Sequence, residues 1–583
     1  MIEHYTAEKN ALVILSLLKA HGIRKVVASP GTTNVALVGS MQLDPYFEVF
    51  SSVDERSAAY MACGLAAETG EPVVISCTGA TASRNYLPGL TEAFYRKLPV
   101  LAITSTQSYS KVGQHVAQII DRSSKPKDAV KLSIFLPIVK DADDMWDCEI
   151  KVNRAILELK RNGGGPVHIN LPTTYDKAFD VPSLPAVRVI KRITPFDIFP
   201  TLTGKVAVFI GAHKAFTPDE TKALDHFCTA NDAVVFCDHT SGYRGKFRLL
   251  YALAAGQHLS NLTTQHKPDI FIHIGEITGD YETLKMSGSQ VWRVSEDGEI
   301  RDTFRKLNYV FEMPERHFFE HYAKKSSDAS GGYLQSCSHL LSALREKIPD
   351  LPFSNIWLAS RMASRIPAGA TIHFAILNSL RSWNFYELPE SVSSASNTGG
   401  FGIDGGLSSL IGASLANSNK LYYCVIGDLA FFYDMNVVGN RHVGANVRIL
   451  LVNNGKGTEF RNYGHHATRL GEDADQFVAA AGHFGKKSRA LVRHYAEDLG
   501  YEYFAASNKE EFEQVYERFL SPEITANPML FEVFTESDEE SRALEQMMKI
   551  DVDAKRVFKE RAKGVIRDAL GVNAIRTLKK ILK

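Results

Sequence analysis

The chain has 583 residues, of which 45% are hydrophobic, with 66 basic and 66 acidic side chains. At about 150 residues per domain, that length predicts three or four domains with enough apolar content for separate cores. The formal net charge of zero argues against a dedicated nucleic-acid binder. No uninterrupted apolar run approaches the ~18 residues needed to span a bilayer.

The N-terminal MIEHYTAEKN has no apolar core of a secretory signal. Cys63, Cys77, Cys148, Cys228, Cys237, Cys337 and Cys424 show no CxxC pair and no zinc-like spacing. Both features predict a cytoplasmic protein whose cysteines are small buried hydrophobes.

Taken in chain order, residues 8–21 have helical apolar spacing, 25–28 read as a strand, and Ser29-Pro30-Gly31-Thr32 as a turn. A strand is predicted at 47–53, an Ala-rich helix at 55–69, a strand at 72–77, a helix at 83–95 and a strand at 99–104. The run PVHINLP at 166–172 closes this first α/β unit. Residues 183–200 are punctuated by proline and read as a linker. A second unit has strands at 206–210, 233–238 and 270–274, and the polar, Ser/Gly-rich stretch 324–333 reads as a boundary. A third unit begins near Asn355, with strands at 370–375, 421–426, 447–452 and 529–533. Strands alternating with helices predict parallel sheets covered on both faces. The first and third units are similarly built. Residues 551–583 carry ten Lys/Arg against four Asp/Glu, with an apolar stripe at helical spacing. This basic helix would pack on the body or a partner subunit, or lie on an anionic surface.

Chemistry-bearing residues concentrate in the third unit. Gly427-Asp428 follows one apolar run, and Asn454, 26 residues after Asp428, ends the next. In a parallel sheet, neighbouring strand ends share the carboxyl edge where ligands bind. A carboxylate and an amide oxygen there suit a hard divalent ion, Mg²⁺ rather than zinc, whose other ligands are phosphate oxygens and water. Gly427 and Gly455 would let a diphosphate approach the backbone. Taken singly, Asp and Asn at such turns are ordinary helix caps; the pair at this spacing points to a metal. In the first unit, Glu55 opens the helix DERSAAYMACGLA, where a carboxylate is also favourable to the helix dipole.

The spacing from Gly-Asp to Asn-Asn in GDLAFFYDMNVVGNRHVGANVRILLVNNGKG resembles the motif of the thiamine diphosphate enzyme superfamily. Within it, the chain is most similar to the MenD family, the menaquinone-pathway synthases that join 2-oxoglutarate to isochorismate. The runs SPGTTNVAL (29–37), VDERSAAYMACGLA (53–66), FGIDGGLSS (401–409) and GDLAFFYDMN (427–436) carry that likeness over about residues 1–540. The resemblance implies three doubly wound parallel-sheet α/β domains: pyrimidine-binding (1–180), middle (190–335) and diphosphate-binding (350–538), followed by a basic helical tail (539–583).

The same resemblance implies site roles. Asp428, Asn454 and the Lys456 carbonyl would ligate Mg²⁺, with Gly427 and Leu429 beside the cofactor. Glu55 would hydrogen-bond the pyrimidine N1′, Ile403 would be the apolar wedge that bends the cofactor, and Phe401 would offer its carbonyl to the 4′-amino group. Gln118 would face the reacting centre, with His115 in the same loop as a proton relay. Glu55 and Asp428 would come from different subunits, making a homodimer or a dimer of dimers obligatory. The implied reaction is attack on a 2-oxo acid, loss of CO₂, and transfer of the resulting enamine to an acceptor or its protonation.

Thr33, Thr398, Trp383 and Gln107-Ser108 stand where the MenD family has arginines or Arg-Pro. Threonine cannot replace bidentate carboxylate recognition, which predicts an acceptor other than isochorismate. Gln114, His115, Arg381, Asn384, Arg461, His465 and His466 are replacement candidates. Three other readings stay open. One is a simple 2-oxo acid decarboxylase. Another is a degenerate scaffold or regulatory subunit, which would need none of Glu55, Asp428 and Asn454. The third is a nicotinamide enzyme using Gly400–Gly405, a GxGxxG that does not follow an obvious strand. The middle unit shows no clear dinucleotide motif, and no flavin is predicted.

Overall fold

In the computed structural model the described residues are 4–123, 125–257, 260, 262–324 and 332–553. The basic helix expected near the C-terminus falls, beyond residue 553, outside the described residues. The chain divides into two compact units, residues 1–197 with 297–312, and residues 198–296 with 313 onward.

The first unit is built on a six-stranded sheet in the order Glu48–Ser51, Lys25–Ala28, Val73–Thr78, Val100–Thr106, Val167–Pro172, Leu132–Phe135. Every pairing is parallel. The pleat sorts its side chains into two cores. Val26, Val74, Leu101, Ile103 and Ile169 face the helices Lys9–Ala20 and Ala142–Glu158. Val27, Val73, Ile75, Val100 and Ala102 face the helices Glu55–Thr69 and Leu87–Tyr95. Because both faces are buried, the strands read as continuous apolar runs instead of alternating ones.

The helix Glu55–Thr69 starts where Asp54 caps the amide of Ser57 and stops at Gly70, whose φ of 68° few other residues tolerate. The helix expected over 83–95 is two, Ala80–Asn85 and Leu87–Tyr95, parted at Tyr86. Pro88 stands in the first turn of the second, where it needs no amide donor. Gly89 is the point of closest approach to the helix Glu55–Thr69. A Cβ there would overlap Ala59 Cβ and lie 2.9 Å from the Ala59 carbonyl carbon. Gly89→Ala is therefore expected to destabilise this unit by about 2 kcal/mol, read as a lowered midpoint in urea or thermal unfolding.

The stretch 183–200 is not wholly a linker. Lys191–Ile193 pairs in parallel with Leu307–Glu312, and Arg192 and Arg161 both pair with Glu312. Three residues with a single apolar side chain inside the sheet carry no readable period. Leu132–Phe135 was also silent in the sequence, since a four-residue edge strand containing Ser133 looks like a loop.

In the second unit, the middle block runs Arg248–Leu250, Val234–Cys237, Val206–Ile210, Ile270–Ile274, Gln290–Ser295, again all parallel. Thr217 and Glu220 form a capping box for the helix Pro218–Asn231. Asp280 is buried near this sheet, accepting from the amides of Glu282 and Thr283 at 3.0 Å each and from the Thr283 hydroxyl. Burial, with a smaller contribution from Asp238, pushes its carboxyl from an ordinary 3.8 up to about 7. The folded state thus keeps a proton that the unfolded chain has released, and stability falls as pH rises from about 4 through 7. Asp280→Asn keeps the shape and removes that loss. Its Tm advantage over the wild type is expected to grow by about 3–5 °C between pH 5 and 8, measured by thermal melts across that range.

The third block is a six-stranded parallel sheet in the order Ser393–Ala395, Thr371–Phe374, Tyr422–Gly427, Val447–Asn453, Met529–Phe534, Glu502–Ala506. Numbered within its own block, its order 2-1-3-4-6-5 is that of the first unit's sheet. The helix Ser537–Met548 crosses the tail boundary expected at 539. It is seated on this block, with Glu540 accepting from the Asn355 amide at 3.0 Å. No helix among the described residues is long and apolar enough to cross a membrane.

Candidate active site

Strands Tyr422–Gly427 and Val447–Asn453 run side by side with Gly427 opposite Val452. That register sets Asp428 and Asn454 next to each other just past the carboxyl edge. Asp428 opens the helix Asp428–Asp434 and is 1% exposed. Its Oδ2 has no hydrogen-bond partner, although His483 Nε2 lies 3.1 Å away. His483 Nδ1 accepts from the Gly485 amide at 3.1 Å, so a neutral His483 carries its proton on Nε2. Asn454 Oδ1 accepts from the Lys456 amide at 3.3 Å, and Lys456 Nζ pairs with Asp475 at 3.0 Å. Gly455 between them has a φ of 82°, a left-handed turn suited to glycine.

Asp428, Asn454 and Lys456 line a cavity of about 240 Å³, with Ile403, Gly427, Leu429, Thr458 and Glu540 among its walls. Two more buried carboxyls stand behind it. Burial pushes Glu532 up, with Asp428 adding, while Asn453 and Tyr503 hydrogen-bond its two oxygens. Burial likewise pushes Glu540 up to about 7, again with Asp428 adding. Three buried acids in a low-dielectric wall favour a bound cation. The donors are a carboxylate and an amide oxygen, and the described residues hold no cluster of three His, Cys, Asp or Glu fit for a metal. A hard ion completed by diphosphate oxygens and water fits that set.

The cavity gathers Ile403, Gly427, Asp428, Leu429, Asn454 and Lys456. Phe401 is half-buried at a φ of 55°, its ring 5.9 Å from Tyr281. Glu55 belongs to the first unit, in the first turn of its helix, half-buried, with Asn85 Nδ2 3.4 Å from Oε2. His115 and Gln118 are exposed in a loop of the same unit, both with left-handed φ, 54° and 65°.

Several replacement candidates are already engaged. Arg381 forms a two-pronged pair with Glu459 at 2.8 and 3.2 Å, at the cavity wall. Asn384 is buried and accepts from the His239 amide at 3.1 Å, so it serves the junction with the middle block. Arg461 pairs with Asp475, and His465 caps the amide of Ala467. Gln114 and His466 are exposed. Ten residues separate strand Ser393–Ala395 from helix Gly406–Ser414, so Gly400–Gly405 is not the tight strand-to-helix turn of a dinucleotide site.

Sequence reasoning missed Asn355, Asn378, Thr458, Glu540 and His483. Asn355, Asn378, Glu540 and His483 reach the site from elements distant in the chain, and only the fold supplies that proximity. Thr458 had one local signal, its place four residues after Asn454 in the same turn.

Residues 9–125 match the family described as thiamine pyrophosphate enzyme, N-terminal TPP binding domain. With the parallel sheets and the Asp428–Asn454 edge, this defines a thiamine diphosphate-dependent enzyme. Along nearly its whole length the chain is similar to curated proteins named 2-succinyl-5-enolpyruvyl-6-hydroxy-3-cyclohexene-1-carboxylate synthase. The protein from Bacteroides fragilis is 30% identical, covering 93% of this chain and 98% of the relative. That from Phocaeicola vulgatus is 31% identical over the same shares. That from Desulfotalea psychrophila is 28% identical over 89% and 96%. The chain belongs to this synthase family, the MenD family.

Proposed function

We propose that the chain uses thiamine diphosphate and Mg²⁺ to decarboxylate a 2-oxo acid and to join the remaining fragment to an acceptor other than isochorismate. The observation that carries the cofactor assignment is the buried Asp428 carboxylate, faced only by His483 Nε2 at 3.1 Å among the described residues' charged groups, beside Asn454 at the sheet edge. When bound, thiamine diphosphate supplies a nucleophilic carbon and an electron sink for the charge left by CO₂. Asp428, Asn454 and the Lys456 carbonyl hold the metal that anchors the diphosphate. Ile403, on the cavity wall, would pack against the cofactor. The apolar walls exclude water, which would otherwise quench the transferable fragment. Glu55 holds and returns a proton at the pyrimidine end.

The acceptor assignment rests on the positions where family arginines are absent. The Thr33 hydroxyl donates to the Ser105 carbonyl at 2.9 Å, Thr398 and Trp383 are buried, and Gln107 donates to Tyr175 at 3.1 Å. Beside Glu55, Val53, Tyr60 and Met61 expose apolar surface. Such a strip favours a second copy of the chain as its cover, with Glu55 of one copy serving the metal site of the other. All seven cysteines are free and buried, which suits a reducing cytoplasm.

The test is incubation with thiamine diphosphate, Mg²⁺ and a panel of 2-oxo acids, reading CO₂ release with and without acceptors. Release that requires both additives is expected, with a new carbon–carbon bond in the acceptor arm. CO₂ release with only an aldehyde product would make the enzyme a simple decarboxylase. Turnover of 2-oxoglutarate with isochorismate at rates typical of the family would remove the acceptor assignment.

A further inference from the structure

The helix Ser537–Met548 brings a carboxyl group to the cavity wall where no cation meets it. Glu540, in the first turn, is 7% exposed. Both its oxygens accept from the Asn355 amide at 3.0 Å, and Oε1 also accepts from the Thr535 hydroxyl at 2.7 Å. Among the described residues the carboxyl has no ion pair, and its hydrogen-bond partners are all donors. The other charged groups on this wall do not answer it. Lys456 is engaged by Asp475 at 3.0 Å, Glu459 holds Arg381 at 2.8 Å, and Asp428 adds negative charge. Burial and that charge push Glu540 up to about 7, so the group keeps its proton into the neutral range.

A neutral carboxyl has one O–H to donate. With Asn355 and Thr535 both donating to Glu540, that O–H has no acceptor among the described residues. Thr458, on the same wall, repeats the situation: it is 5% exposed, and its hydroxyl has no hydrogen-bond partner. Buried donors without an acceptor are costly, and a chain that keeps two of them gains when a ligand oxygen arrives. Glu540 is also held firmly in place. At the far end of its helix, Gln257 Nε2 donates to the Met547 carbonyl at 2.7 Å, and the Asp551 amide donates back to Gln257 Oε1 at 3.1 Å. A donor fixed in this way on the wall that Asp428 and Asn454 share suits an oxygen-rich anion.

We propose that Glu540, as a neutral acid, and Thr458 donate hydrogen bonds to the diphosphate of the bound cofactor. This rests on the cofactor reading above and extends the site to the helix that follows the last strand of the sheet. An ionised Glu540 would set like charge against the diphosphate, whereas its O–H makes the contact a charge-assisted hydrogen bond. The diphosphate offsets the charge of the metal, so loading leaves no surplus positive charge to strip the proton.

The experiment uses the full chain and titrates thiamine diphosphate and, separately, inorganic pyrophosphate by calorimetry, each with Mg²⁺. Glu540→Met should weaken both by about tenfold, because both present the same diphosphate. Glu540→Gln should stay within about threefold of the wild type, since its amide oxygen still accepts from Asn355 and its N–H replaces the O–H. Thr458→Val should weaken both by about threefold. Glu540→Met binding as tightly as the wild type overturns the proposal. So does a loss confined to thiamine diphosphate, which would place Glu540 at another part of the cofactor. Glu540→Gln as weak as Glu540→Met overturns the neutral-acid role. If Glu540→Met does not fold, Glu540→Gln and Thr458→Val decide. The cofactor reading fails separately. Pyrophosphate binding that depends on Glu540, without thiamine diphosphate binding, sinks that reading and leaves the anion site. Thiamine diphosphate binding indifferent to Glu540→Met and Thr458→Val does the reverse, and binding of neither ligand overturns both.

Discussion

Glu55→Gln is expected to lower cofactor-dependent CO₂ release by at least about a thousandfold, which corresponds to ~4 kcal/mol of barrier, with little change in melting temperature. Both expectations come from the same local structure. Glu55 sits in the first turn of a helix already capped by Asp54 at the Ser57 amide, so the turn does not depend on it. Its carboxylate is half-buried, and the contact from Asn85 is long at 3.4 Å. Glutamine keeps the length and shape of the side chain. It cannot take up and return a proton, and that is the one task assigned to this position. The measurement is CO₂ release at saturating thiamine diphosphate and Mg²⁺, paired with a thermal melt and a cofactor titration. Cofactor affinity within a few-fold of the wild type, with turnover gone, is the expected pair of results. Full turnover in Glu55→Gln would remove Glu55 from the proton path and with it the reason to seek a second copy at the site.

The difference between what was readable and what was not follows from local and non-local physics. Central strands such as Val206–Ile210 and Ile270–Ile274 were visible because burial on both faces demands unbroken apolar residues. The helix Glu55–Thr69 was visible in its Ala-rich run, and in the structure Asp54 and Gly70 mark its ends. Asp428 and Asn454 were legible because each follows the end of an apolar strand, and adjacent parallel strands bring such ends together. Edge strands were not legible: Leu132–Phe135 and Lys191–Ile193 are too short and too mixed for any period. Nor were Glu540 and His483, whose roles depend on helices and turns that close from other parts of the chain. Arg122 illustrates the same limit in another form. Nothing in the stretch IIDRSSKPK marks Arg122 as buried, and only the structure reveals that its guanidinium is 3% exposed with no ion pair among the described residues. Composition reports how many charges exist; it says nothing of which of them folding strands away from water.

Asp428→Asn should raise the melting temperature of the cofactor-free protein by about 1–2 °C and abolish the stabilisation that thiamine diphosphate and Mg²⁺ confer together. The opposite signs come from one oxygen. Without metal, Asp428 places negative charge in a wall where its Oδ2 has no hydrogen-bond partner and where Glu532 and Glu540 are both disfavoured as anions, in part by that charge. An amide of the same shape relieves this and lets Glu540 ionise more readily. With metal, the relation inverts, because the carboxylate supplies the only full negative charge among the proposed protein ligands to Mg²⁺. A cofactor present at a hundred times its dissociation constant stabilises the wild type by about 2.7 kcal/mol. A hundredfold weaker complex loses nearly all of it. Thermal melts of both proteins, with and without thiamine diphosphate and Mg²⁺, give the four numbers needed. A rise in the cofactor-free melt alone would also follow from any removal of buried charge, so the decisive quantity is the cofactor-induced shift. If Asp428→Asn kept that shift at wild-type size, the metal would have to be held elsewhere, and the buried acids behind the cavity would need another purpose.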